Sequence, residues 1–134
     1  MVQQYLSWYQ GSYRPALLSI IRLKFGAFRQ NKPISGAALA EAEKRIHSTL
    51  DLLDTILSKG NPYLAGENLT IADLLVFEET TNVESYKLDL APWKNVKAWY
   101  DRMLTHQALA DIHAKFREGV PRFQEMLEKV PIEN

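Results

Sequence analysis

The stretch Leu69-Thr70-Ile71-Ala72-Asp73-Leu74-Leu75-Val76-Phe77 decides the fold of this chain, because it specifies the start of a buried helix. Thr70 is placed to cap that helix, and Asp73 three residues later is placed to complete a capping box. Leu69 before the cap and Leu74 after it have the spacing of a hydrophobic staple. Apolar residues then occupy most sides of the segment, so we expect a central helix that is buried in a bundle.

Helical periodicity also dominates the chain on both sides of this stretch. From Gly36 to Leu57 the apolar residues recur at spacings of three and four, with Ser35 in the position of an N-cap. Pro92 is expected to open a further helix at the favoured first-turn position, and Gly119 to close the element after it. Val120-Pro121 is expected to begin a last short helix. With no strand pattern present, the sequence predicts an all-α bundle of five to six helices.

Composition bounds the class of protein. The chain has 134 residues, of which 46% are hydrophobic and 24% charged, so we expect one globular domain over residues 1–134. The absence of cysteine excludes disulfides, thiolate metal sites and a cysteine nucleophile within the chain. No apolar run approaches the roughly 20 residues that span a bilayer, and the N-terminus has no signal-peptide pattern. These features predict a cytoplasmic protein with no membrane partner.

The charges are unevenly distributed although the net charge is zero. Residues 1–40 contain five basic and no acidic residues, and the remaining residues contain an excess of acidic ones. The basic residues are too dilute to indicate a nucleic-acid-binding arm. Two interpretations remain. Either the first segment packs beside later acidic elements, or it faces an anionic ligand or an acidic partner.

The first helix carries an arginine in an unusual place. Gly11 and Pro15 predict a kink near its middle, because proline cannot donate to the carbonyl four residues earlier. On a helical wheel, Arg14 shares an apolar stripe that we expect to face the core, formed by Leu18, Ile21, Phe25 and Phe28. A core-facing arginine must find a carboxylate, carbonyls or a bound anion. A role toward an anion therefore requires a cavity beside Arg14.

Aromatic residues form a ridge before this arginine. Tyr5, Tyr9 and Tyr13 follow at four-residue spacing with Trp8 beside them. Such a ridge either packs against another helix or subunit, or forms the wall of an apolar pocket with phenol hydroxyls as polar groups.

The chain has no self-contained catalytic constellation. His47, His106 and His113 lack the spacing of metal ligands, and we expect surface or capping roles for them and no metal site. Neighbours on a helix diverge by 100°, so Glu78 and Glu79 cannot act on one atom. These two acids, and the pair Asp51 and Asp54, are better interpreted as part of a solvated or salt-bridged face.

Residues 61–73, Asn-Pro-Tyr-Leu-Ala-Gly-Glu-Asn-Leu-Thr-Ile-Ala-Asp, resemble a segment of the C-terminal helical domain of glutathione transferases. In that family a capping threonine or serine and its partner aspartate open the buried central helix, which matches Thr70 and Asp73. The segment from Tyr5 to Arg14 is similar to the first helix of this domain in theta-like members, and residues 73–79 fit the same group.

This resemblance implies an enzyme that conjugates glutathione to electrophiles. The family's thioredoxin-like N-terminal domain, which holds most of the glutathione site, is absent from this sequence. The helical domain is expected to contribute the apolar electrophile site and contacts of a homodimer, with glutathione as co-substrate and no cofactor. By position, Arg14 resembles an arginine near the sulfur side of the pocket. The expected pocket walls are Tyr9, Tyr13, Leu17, Phe116 and Phe123.

Two functions follow from the resemblance. The chain is either the helical half of a theta-like transferase, inactive alone, or a scaffold module of the kind found in translation factors and synthetase complexes. The arginine on an apolar face favours the first, because a scaffold has no evident need for it.

Overall fold

The helix Ile71–Thr80 runs through the centre of the fold, and its buried side chains confirm the predicted central helix. The computed structural model describes residues 1–134 and contains six α-helices, which confirms the all-α class. The helices, in chain order, are α1 (Val2–Trp8), α2 (Arg14–Gln30), α3 (Gly36–Leu57), α4 (Ile71–Thr80), α5 (Lys94–Met103) and α6 (Gln107–Glu128). None of them is both long and apolar enough to cross a bilayer.

The predicted interruption of the first helix is a π-helical turn. The residues Tyr9–Tyr13 form this turn and join α1 to α2. Gly11 lies within the turn, and Pro15 lies in the first turn of α2. Because Pro15 has no N–H, the regular hydrogen bond to the Gly11 carbonyl is missing, and the helix accommodates an extra residue there.

Helix α6 corrects the predicted end of the chain. It continues without a break through Gly119 and Pro121, so the separate helix expected to begin at Val120-Pro121 does not exist. A glycine costs a helix only about 1 kcal/mol and a proline about 3 kcal/mol. Val120 and Leu127 on either side are buried, and this burial outweighs the local preference for a break.

The start of α5 is also shifted from its predicted position. Pro92 precedes the helix instead of occupying its first turn, and Trp93 is the N-cap residue. Asp54 on α3 accepts hydrogen bonds from the backbone N–H groups of Asn95 and Val96 at 2.8 and 3.0 Å. A carboxylate from another helix therefore caps α5, and it sets the start that the proline was expected to set.

The chain also contains one short strand pair that the sequence did not predict. Ile34–Ser35 (β1) pairs in parallel with Ile132–Glu133 (β2), with Ile34 opposite Ile132. Two residues per strand are too few to produce an alternating pattern. The pair connects the entry to α3, where Ser35 caps the helix as predicted, with the end of the chain.

A fully buried carboxylate ties the central helix to the elements around it. Asp73 Oδ1 accepts from the Leu64 backbone N–H at 2.9 Å and from Trp99 Nε1 at 3.0 Å. Its Oδ2 accepts from the Thr70 backbone N–H at 3.0 Å and from the Thr70 hydroxyl at 3.3 Å. The predicted capping box is therefore present. Asp73 also holds the preceding loop and α5, which capping alone does not require.

We expect Asp73→Ala to lower the free energy of unfolding by about 3–5 kcal/mol, because it leaves several buried donors without an acceptor. Thr70→Ala removes only the hydroxyl and is expected to cost about 1 kcal/mol. Chemical denaturation monitored by circular dichroism measures both. Asp101→Asn is the control, since Asp101 forms only an exposed pair with Lys97. An equal loss in the Asp73 and Thr70 variants would contradict the central role of the carboxylate.

Candidate functional site

Three of the six predicted site residues lie in the core. Tyr13 and Leu17 have no exposed surface, and Tyr9 is also buried. The Tyr13 hydroxyl shares a short hydrogen bond with the Thr80 hydroxyl on α4. The aromatic ridge thus packs against the central helix, in agreement with the interpretation that it packs against another helix or subunit. Tyr13 and Leu17 present no surface to a substrate in this structure.

Arg14 forms an ion pair with an interior acid. Its Nε lies 3.2 Å from Glu79 Oε1, and the two side chains are 49% and 8% exposed. The same oxygen accepts from the Tyr9 hydroxyl at 3.2 Å, and Oε2 accepts from Asn82 Nδ2 at 2.7 Å. Glu79 is therefore a buried acceptor that joins α4 to the first helix, and its neighbour Glu78 is exposed.

The stripe that contains Arg14 does not face the core, which corrects the wheel-based expectation. The buried residues of α2 are Ala16, Leu17, Ile20 and Ala27. Phe25 and Phe28, which share the stripe of Arg14, are 41% and 50% exposed. Helix α2 has apolar residues on two adjoining stripes, and periodicity alone does not select between them. The stripe with two alanines is buried because small side chains permit close packing.

The environment of Glu79 opposes its ionisation. Burial raises the pKa of the Glu79 carboxyl, while the Tyr9 hydroxyl, the Arg14 charge and the Asn82 amide act in the opposite direction. Burial and the charge of Glu79 also raise the pKa of Tyr9. Arg14 lines none of the five main cavities of the molecule. None of these cavities therefore provides the space beside Arg14 that an anion-binding role requires.

The largest groove lies where the end of α2 meets the second half of α6. Its volume is about 570 Å³, within the range of small-molecule sites. Phe28, Phe123 and Met126 provide its apolar walls, and Arg122 and Lys129 provide cationic groups. The sequence identified Phe123 as a pocket wall, but placed Phe28 on the core-facing stripe and Met126 in a separate helix. Both errors arise from contacts between elements distant in the chain.

The predicted site residues consequently do not converge on one centre. Arg14 and Phe28 are fourteen residues apart on one helix, which separates them by roughly 21 Å. Phe116 lies on α6 and is half-buried, with its ring stacked on His113 at a centroid distance of 5.7 Å. Of the six residues, Phe123 alone lines the groove. The structure separates an ion pair at one end of α2 from an apolar groove at the other.

The other polar residues considered in the sequence have structural contacts. Asp51 accepts from Trp93 Nε1 at 2.7 Å, and Asp54 caps α5. No group of three metal-ligating side chains is formed. His106 occupies the N-cap position of α6 and contacts the Tyr63 hydroxyl at 3.0 Å. His113, expected at the surface or at a cap, is instead buried, because the aromatic interior between α4, α5 and α6 encloses its ring.

Comparison with known proteins identifies the same domain over most of the chain. The family described as "Glutathione S-transferase, C-terminal domain" matches residues 18–107. The Arabidopsis thaliana protein named glutathione S-transferase F10 is 32% identical over 118 residues, which cover 86% of this chain and 54% of that protein. The chain therefore spans about half the length of this relative.

Solved structures show the same architecture. A glutathione S-transferase from Xanthobacter autotrophicus superposes with a TM-score of 0.65 at 34% identity, covering 79% of this chain and 50% of that one. A delta-class glutathione transferase from Nilaparvata lugens superposes with a TM-score of 0.70 at 24% identity, covering 96% and 56%. At the lower identity the likeness concerns the fold alone.

The raised pKa of Glu79 predicts the sign of a pH dependence. The folded chain binds a proton at this carboxyl more tightly than the unfolded chain, in which the carboxyl has its ordinary pKa of 4.5. Ionised Glu79 therefore lowers the free energy of unfolding progressively as the pH rises above that value. We expect Glu79→Gln to gain stability relative to the wild-type chain between pH 4 and pH 7, as measured by urea denaturation. Glu78→Gln is the control, because Glu78 is exposed. If Glu79→Gln instead lost stability relative to the wild-type chain as the pH rises, the raised pKa of Glu79 would be refuted.

Proposed function

Because the chain belongs to the glutathione S-transferase family through its C-terminal domain, we propose that it is the helical half of a theta-like transferase that conjugates glutathione to electrophiles. Glutathione is then the co-substrate, held mainly by a thioredoxin-like half, and no cofactor is needed. The enzyme acts in the cytoplasm. The theta-like class rests on the residue pattern around Tyr5–Arg14 and 73–79, while the named relatives include an F10 and a delta-class protein.

The groove between α2 and α6 is the observation that carries this proposal. Phe28 and Phe123 on its opposite sides provide aromatic surface for an uncharged electrophile. Arg122 has no acidic partner in the chain, whereas Lys129 pairs with Glu125 at 3.1 Å. A free guanidinium beside an apolar wall suits a reaction in which an anion leaves the electrophile. The first helix and the C-terminal segment, which the family resemblance implies for this site, are the elements that form the groove.

Arg14 has a more limited part in this proposal than the sequence suggested. Its Nε lies 3.2 Å from Glu79 Oε1, and its side chain is half-exposed, so part of the guanidinium remains accessible. Stabilisation of the glutathione thiolate by Arg14 requires the other half of the transferase to cover this face. In this chain the Glu79 carboxylate compensates part of the positive charge of Arg14, which weakens the attraction of Arg14 for an anion.

The exposed stripe of α2 suits the proposed homodimer. Leu18 and Ile21 are half-buried, and Phe25 is exposed beneath the Arg29 guanidinium at 6.0 Å from its ring. Apolar side chains in a row on a long helix lose contact with water when a second subunit covers them. The same stripe is available to an adjoining domain.

A scaffold module without catalysis is the second candidate, and the Arg14–Glu79 pair favours it. An arginine bound to an interior acid, with no main cavity beside it, has a structural reason to be present in any member of the fold. The presence of Arg14 therefore does not by itself favour a transferase over a scaffold module. The groove between α2 and α6 still favours the transferase, because a scaffold module does not require a ligand-sized groove.

Calorimetry on the chain tests whether this half of the transferase binds the electrophile but not glutathione. We expect no saturable binding of glutathione, and measurable binding of an uncharged aryl halide. Phe123→Ala is expected to weaken that binding about tenfold, since it removes an aromatic wall. Phe25→Ala is the matched control, because Phe25 is exposed but does not line the groove. Saturable glutathione binding, or equal effects of the two variants, would contradict the proposal.

Arg14→Ala, introduced into the transferase with both halves, separates the two candidate functions. We expect the turnover number to fall about tenfold or more while the melting temperature changes by only a few degrees, because the Arg14 side chain is half-exposed and Tyr9 and Asn82 still donate to Glu79. Turnover and thermal unfolding are measured on the same preparation. Near-normal turnover with a large loss of melting temperature would assign Arg14 to the fold instead.

A further inference from the structure

Several polar contacts of α6 converge on one residue, Glu84, at the end of the 3-10 turn Thr81–Glu84 that follows α4. Glu84 Oε1 accepts from Arg117 Nε at 2.8 Å, and its backbone carbonyl accepts from Gln124 Nε2 at 2.6 Å. The Tyr100 hydroxyl on α5 donates to Oε2 at 3.0 Å. Gln124 directly follows Phe123, so this contact fixes the turn of α6 that carries one wall of the groove.

His113 completes this cluster on the buried side of α6. The side chain is 4% exposed, and its Nε2 lies 2.9 Å from Glu84 Oε2. The ring is stacked on Phe116 and meets the edge of Tyr100 at a centroid distance of 5.9 Å. Neither ring nitrogen has a well-directed hydrogen-bond partner. The imidazole is therefore enclosed by aromatic rings, with Glu84 as the one acceptor near it.

The interior of the bundle disfavours the doubly protonated, positively charged form of His113. Imidazolium needs two acceptors, and Nδ1 faces an interior that offers none. The charged groups around the ring are Glu84 on the 3-10 turn and Arg117 on α6, and Tyr100 from α5 is the other titratable neighbour. Burial lowers the pKa of His113 and Arg117 lowers it further, which outweighs the attraction of Glu84.

We propose that Glu84 and His113 are positioning residues that hold α6 against the 3-10 turn, and that protonation of His113 releases this helix and alters the groove. Phe116 stacks on His113 one turn further along α6, and Phe123 directly precedes Gln124, whose side chain is bound to the Glu84 carbonyl. The effect on ligand binding rests on the proposed function of the groove. The effect on α6 stands independently of it, because it concerns only contacts within the chain.

The direction of the pH effect follows from linkage. The pKa of folded His113 lies below the ordinary value of 6.5, so its stabilising contribution is complete above that pH and is lost progressively as the pH falls below it. Local opening of α6 needs less energy than unfolding of the bundle when the contacts that fail are concentrated at one cluster.

Hydrogen exchange on the chain tests the role of the pair. After correction for the intrinsic pH dependence of exchange, we expect protection of residues 107–128 to fall at least fivefold from pH 7.5 to pH 5.5, while α3 stays protected. His113→Gln is expected to reduce protection at pH 7.5 and to remove most of its pH dependence. Glu84→Gln is expected to reduce protection and to keep the pH dependence, because burial and Arg117 still lower the pKa of His113. His47→Gln is the control, because His47 is exposed on α3 and lies outside the cluster. Wild-type protection that does not depend on pH would overturn the proposal.

An NMR titration of His113 and a binding measurement at two pH values complete the test. If His113→Gln does not fold, the wild-type His113 ring is titrated by NMR, and amides of α6 must titrate with the same midpoint; a different midpoint refutes the link. Binding of an aryl halide is then measured at both pH values. A wild-type chain that binds none contradicts the proposed electrophile site, whereas pH-independent affinity alongside pH-dependent exchange refutes the coupling to the groove.

Discussion

The buried carboxylate of Asp73 is the constraint on which the other contacts depend. It accepts from the cap of its own helix, from the loop at Leu64 and from Trp99 on α5. A carboxylate without exposure to water is tolerated only where donors surround it, so its burial and its hydrogen bonds must form together. Because α4 is held in this way at its start, its far end places Glu79 against the first helix, and the 3-10 turn that follows places Glu84 against the last helix.

Acidic side chains repeat this arrangement at other junctions of the bundle. Asp54 on α3 caps α5, Glu79 on α4 receives Tyr9 and Arg14, and Glu84 receives donors from α5 and α6. Each acid satisfies donors that belong to a different helix, so the junctions specify how the helices are placed as well as that they meet. The basic first segment is only partly neutralised by them, since Arg14 is its one residue in an ion pair. Both interpretations of its charge therefore keep some support.

The candidate site depends on contacts that sequence patterns do not encode. Phe123 was identifiable from the family resemblance, but Phe28 became a wall of the groove only because the core selected the neighbouring stripe of α2. His113 and Glu84 had no local signal, because their partners are tens of residues apart in the chain. Arg14 was correctly expected to need a counter-charge. Its partner is the interior acid Glu79, and none of the main cavities lies beside the pair.

The sequence by itself determined the helical class and the capped start of α4, because caps and apolar periodicity act over three or four residues. It also indicated the family, through the resemblance of residues 61–73. Tertiary structure alone decided that α6 continues through Pro121, that α5 begins after Pro92, and which stripe of α2 is buried. In each case burial or hydrogen bonding to a distant element outweighs a local preference of only a few kcal/mol.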